Sequence, residues 1–111
     1  MAKFATTPGC FDDQFHGGPP LAYTIGYGFD QPSGTDMFVT RLNAAATALI
    51  GSTYIGGSGN DGVNNDPLLA HNYGDSFRGE IILDHAGNPI VASTTESSGL
   101  PTVNASQPSH G

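Results

Sequence analysis

Apolar and polar positions alternate in four short stretches of the chain. Residues 36–42, Asp-Met-Phe-Val-Thr-Arg-Leu, put Phe38, Thr40 and Leu42 on one face of an extended strand. Met37, Val39 and Arg41 fall on the other. Residues 48–55 form a second strand, with Leu49, Gly51, Thr53 and Ile55 alternating with Ile50, Ser52 and Tyr54. Residues 78–84 and 89–95 read as one hairpin: two β-branched runs flank His85-Ala86-Gly87-Asn88, and Gly-Asn between such runs is a hairpin cue. The alanines of 43–47 favour helix, but so short a run does not stand alone as one and reads as a connector.

Between these stretches the pattern breaks down. Residues 1–35 are loop-rich, with turn signals at Thr7-Pro8-Gly9, Gly17-Gly18-Pro19-Pro20 and Gln31-Pro32-Ser33-Gly34. Leu21–Tyr27 is a candidate edge strand between them, weakened by its glycine and flanking prolines. Residues 56–77 are a long inserted loop, of the kind that is usually functional. The predicted organisation is therefore a loop-rich segment, 1–35, and one β unit, 36–111. Two hairpins without long helical periodicity make the fold class all-β. Four antiparallel strands are the content of one β-propeller-type blade. A single blade buries little unless neighbours stack on it, so the unit is expected to be part of a larger propeller or assembly.

Composition sharpens this picture. The chain has 16 Gly and 8 Pro in 111 residues, which implies many turns. Its net charge is -7, and Lys3, Arg41 and Arg78 form no cluster, so a phosphate backbone is not an expected partner. No apolar run approaches the length of a membrane span, so membrane insertion is not expected either. With Cys10 as the only cysteine, neither an internal disulfide nor a cysteine-based zinc site can form. The first residues lack the apolar segment of a signal peptide, so secretion requires a signal outside this sequence.

Two stretches, Asp36–Asn43 and Ser52-Thr-Tyr-Ile-Gly-Gly-Ser-Gly-Asn-Asp61, resemble the bacterial SBBP repeat, a β-propeller-related repeat. Asp84–Thr95 looks like the strand pair that follows in that repeat. Leu100-Pro-Thr resembles its closing element, and Phe4-Ala-Thr-Thr-Pro-Gly9 looks like the closing element of a preceding repeat. Asn72–Glu80 is similar to an insertion in large Bacteroidetes surface proteins that carry gliding-motility-associated C-terminal domains and leave the cell by type IX secretion. Ala45-Ala46, where the family has a glycine-containing turn, and the insert at 16–35 depart from the pattern. The resemblance implies an extracellular or cell-surface location, with neighbouring propeller repeats or identical copies as partners.

Few residues suggest chemistry. Gly56–Asn64 fits the calcium-binding nonapeptide, in which an Asp carboxylate and backbone carbonyls hold the cation, and Asp61 and Asp66 with Asn60, Asn64 and Asn65 offer a looser calcium loop. Such sites come in tandem and this chain has one copy, so a glycine-rich turn after a strand is the simpler reading. Calcium is thus the one cofactor to test. Tyr23, Tyr27 and Tyr73, if gathered at one end of the blade, would stack on sugars and make surface glycans a partner. Tyr54 and Phe77 are expected in the core.

His16, His71, His85 and His110 have no metal-site spacing and read as turn residues. Cys10 reads as a small half-buried group. Asp12-Asp13 and Asp84 read as turn caps rather than glycosidase carboxylates. Asn104-Ala-Ser106 is a formal glycosylation sequon.

No nucleophile elbow or phosphate loop is present, so the expected function is non-enzymatic: a structural or adhesive repeat module. Two alternatives stand beside it. One is a carbohydrate- or calcium-binding lectin-like module. The other is a subunit of a self-assembling extracellular polymer, joined through exposed strand edges.

Overall fold

Strands β1 (Met37–Leu42) and β2 (Leu49–Ile55) pair antiparallel, with Phe38 opposite Tyr54 and Thr40 opposite Ser52. The computed structural model describes residues 4–22, 30–64, 66, 68, 75–77 and 79–109. The register shifts between Arg41 and Leu42, so Ile50 is the extra residue of a bulge at the hairpin tip. The connector at 43–47 is a turn. Asn43 Oδ1 accepts from the N–H groups of Thr47 (2.8 Å) and Ala48 (3.2 Å), which replaces the helix its alanines favour with a capped turn.

On the face carrying Phe38, Thr40, Ser52 and Tyr54, residues 4–15 cover Ser52 and Tyr54, while Phe38 stays 52% exposed. Thr7 N–H donates to the Ser52 carbonyl at 3.0 Å, and Tyr54 N–H to the Asp12 carbonyl at 3.0 Å. Ser52 Oγ donates to the Ala5 carbonyl (2.7 Å), and the Tyr54 hydroxyl accepts from Phe4 N–H (2.7 Å). The Phe4 ring stacks on Phe38 with centroids 3.9 Å apart, while Phe15 lies tilted 6.1 Å from Tyr54. Tyr54 is therefore 5% exposed, with its hydroxyl satisfied.

Strands β3 (Gly79–Leu83) and β4 (Pro89–Ser93) form the second hairpin, with Ile81 opposite Val91 and Ile82 opposite Ile90. Its turn is built as expected. Gly87 adopts φ 82°, and Asp84 accepts from the N–H groups of Ala86 and Asn88 at 2.8 Å each. No residue of either strand is buried.

The architecture is all-β: two antiparallel sheets of two strands each, with no α-helix among the described residues. A 3-10 turn at Asp75–Phe77 precedes β3. The sequence predicts four strands in one sheet. The structure instead has β1 and the second hairpin facing one another across a groove of about 360 Å3, lined by Met37, Val39, Val63, Phe77, Ile81 and Val91. Gly62 lines the same groove.

The predicted strand over 89–95 ends at Ser93, because the chain changes partner at Thr94. Phe77, expected in the core, is exposed, and the buried hydrophobic side chains among the described residues are Leu21, Tyr54 and Val63. The candidate strand at 21–27 lies mostly outside the described residues. Its first residue, Leu21, is buried and bridges Gln31. No helix among the described residues is long and apolar enough to cross a membrane.

Candidate functional site

The two hairpins are joined by three residues of the glycine-rich loop. Asp61 N–H donates to the Thr35 carbonyl just before β1 (2.9 Å). Gly62 N–H donates to the Thr94 carbonyl (2.9 Å), and Glu96 N–H to the Asn60 carbonyl (2.9 Å), just after β4. Residues 60–62 thus act as a short strand between the start of β1 and the end of β4.

The side chains of Asn60 and Asp61 are the most deeply buried among the described residues. Asp61 is 1% exposed. Its carboxylate accepts from Gly57 N–H and Ser97 Oγ, both at 2.8 Å, and from Thr95 Oγ1. Asn60 is 2% exposed; its Oδ1 accepts from Thr35 N–H (3.1 Å) and its Nδ2 donates to Glu96 (3.2 Å). Ser97, itself buried, accepts from Gly59 N–H at 3.0 Å and closes the loop. A buried carboxylate persists only when donors surround it, and here backbone and hydroxyl groups do so.

Glycines make room for the cluster. A side chain at Gly34 would place its Cβ 2.2 Å from Gly18 N and 2.5 Å from Asn60 Oδ1, and Gly34 holds φ 70°. Only a residue without a Cβ fits there.

Asp36 extends the network to the first loop. It accepts from His16 N–H (2.6 Å) and Gly17 N–H (3.0 Å). Burial holds its pKa above the ordinary carboxylate value. The Gly17 and His16 amides pull it back, and the neighbouring Asp61 charge raises it further. Thr35 Oγ1, at the edge of the groove, is buried without a hydrogen-bond partner among the described residues.

The predicted cation ligands separate in this geometry. Asn60 and Asp61 belong to the buried cluster, where protein donors occupy their oxygens. Asp66 is exposed and caps Leu68 N–H at 2.8 Å. Among the described residues no group of three or more His, Cys, Asp or Glu side chains is arranged to hold a metal ion. Tyr23, Tyr27 and Tyr73 lie outside the described residues.

Of the histidines, His16 bonds Asp12 at 2.8 Å and His85 is exposed at the β3–β4 turn; His71 and His110 lie outside the described residues. Asp12 and Asp84 serve as turn caps. Cys10 is half-buried. Asn104 sits in an exposed tail segment with φ 51°.

Sequence reasoning missed Asp36, Thr95 and Ser97. The available signal was the density of glycine at 17–18, 34 and 56–59, which marks close backbone approaches. It could not say which distant segments approach. The cluster's chemistry is fastening: the Asp61 carboxylate ties the glycine-rich loop at Gly57 to Thr95 and Ser97, and Asn60 ties Thr35 to Glu96. Comparison with protein-family models, with curated proteins and with solved structures finds no match.

Proposed function

We propose that this chain is a non-enzymatic structural or adhesive module of an extracellular bacterial surface protein, and that its four strands belong to one propeller-type blade completed by neighbouring units. The observation that carries this reading is the second hairpin. Ile82 is 64% exposed and Leu83 66%, and Ile81 and Ile90 are exposed beside them. A two-stranded hairpin with apolar residues open on both faces is marginal in water and is stabilised when a neighbour covers it. The Asp61 junction supports the blade reading, because it ties the start of β1 and the end of β4 to one segment. The deep burial of that cluster favours a fastening role over ligand capture.

The experiment is to produce one, two and three tandem copies and compare their melting. Stacked repeats share interfaces, so the tandem chains should melt roughly 5–10 °C above the single one. Identical melting temperatures would remove the module reading.

A further inference from the structure

Strand β3 has a second edge that pairs with no other strand among the described residues. Among the described residues Gly79–Leu83 bond only to β4, and all five are exposed. Natural sheets protect such an edge with lysine, proline, a bulge or a covering loop. β3 carries no lysine, proline or bulge, no described segment covers its outer edge, and Glu80 is its one charge.

We infer that the outer edge of β3 is a pairing edge for a second copy of this chain, joined antiparallel about a two-fold axis at Ile81. This rests on the module reading above and names its partner.

The choice of a second copy follows from the strand itself. Full overlap of a five-residue strand with its own copy puts the axis at the middle residue, Ile81. Gly79 then lies opposite Leu83 of the second copy, and Glu80 opposite Ile82. No like charges face one another directly. In parallel, in-register pairing each Glu80 would oppose the other, which is unfavourable.

Charge also restricts where two such chains can touch. The chain carries -7 overall, whereas the ten residues of β3 and β4 carry only Glu80. The result is a sheet of order β4-β3-β3-β4, above the size at which antiparallel sheets become independently stable.

The register can be read by cross-linking. Single cysteines are placed by Ile81→Cys or Leu83→Cys in a Cys10→Ser background and oxidised with a copper catalyst. At the axis the two substituted positions are direct neighbours, whereas the Leu83 positions are about 13 Å apart along the strands. The Ile81→Cys chain should form covalent dimer at least tenfold faster.

A second measurement needs no cysteine. Ile82→Lys places a cation opposite Glu80 of the second copy and Ile82→Glu places an anion there. By symmetry each change acts twice, so sedimentation should give Kd values roughly tenfold apart, with the lysine variant tighter. Circular dichroism verifies that both variants fold. A folded chain that stays monomeric at all concentrations, equal cross-linking at positions 81 and 83, or a tighter glutamate variant overturns the pairing. The tandem-melting result stands or falls separately from any of these.

Discussion

The two hairpins have similar lengths and similar apolar content, yet they stand in opposite states. β1–β2 is covered along β2: residues 4–15 bond to Ser52 and Tyr54, Phe4 stacks on Phe38, and Tyr54 is sealed, while the hairpin tip at Leu42, Leu49 and Ile50 stays exposed. β3–β4 is bare, with no buried residue and isoleucines on both faces. The difference does not lie in the strands. The first hairpin has a companion segment within the chain, and the second has none among the described residues. An apolar strand is stabilised by what lies against it, and its sequence does not say whether that is the same molecule.

The sharpest test of this contrast removes one large side chain from each hairpin. Tyr54→Ala should cost about 3–5 kcal/mol, because it empties the covered face and strands the Phe4 amide. Ile82→Ala, measured by urea denaturation at high dilution, should change stability by no more than about 0.5 kcal/mol. Equal costs would mean that the second hairpin is covered after all.

The junction comes next. Asp61→Ala leaves the donors of Gly57, Thr95 and Ser97 without their acceptor, at a cost of roughly 3 kcal/mol. Because the same residue links both hairpins, amide exchange should rise in β1 and β4 together. A rise confined to one hairpin would show that they are fastened independently.

Two glycines give a smaller contrast. Gly34→Ala drives a methyl into Gly18 and Asn60 and should cost roughly 2–3 kcal/mol. Gly87→Ala has a similar positive φ, but its nearest neighbour is Arg41 at 4.0 Å. Only the backbone penalty of about 1 kcal/mol remains.

The smallest effect is in pH, and its sign differs between the hairpins. Asp36, at the foot of β1, has its pKa raised by burial, with the Gly17 and His16 amides opposing. Its contribution is complete below the unfolded pKa and is lost as pH rises through the folded one, so acidification relieves a penalty. Asp84, in the β3–β4 turn, has its pKa lowered, chiefly by the Asn88 side chain. Its contribution is present above the unfolded pKa and is lost as pH falls through the folded one. Stability curves of Asp36→Asn and Asp84→Asn, taken between neutral pH and the carboxylate range, should therefore depart from the parent in opposite directions. Departures of the same sign would refute the assignment.

The alternation of apolar residues was enough to place all four strands to within two residues, because strand periodicity is local. Asn43, Asp84 and Gly87 marked their turns for the same reason: a cap or a positive φ acts within a few residues. The candidate site was legible only in part. Asn60 and Asp61 stood out as a polar pair in a glycine-rich loop, but their partners Thr35, Thr95 and Ser97 lie 25 or more positions from the residue each bonds. Phe77 read as a core residue and is exposed, because hydrophobicity fixes a preference for burial and not a location.

The sequence by itself determined the all-β class, the two hairpins, their turns and the acidic surface, all of which follow from local periodicity, backbone preference and summed charge. Only the tertiary structure decided that the strands divide into two sheets. It also decided that residues 4–15 cover one hairpin and not the other, and that Asp61 is a buried fastening point. Those outcomes depend on which distant segments meet, and on the space glycines leave where they do.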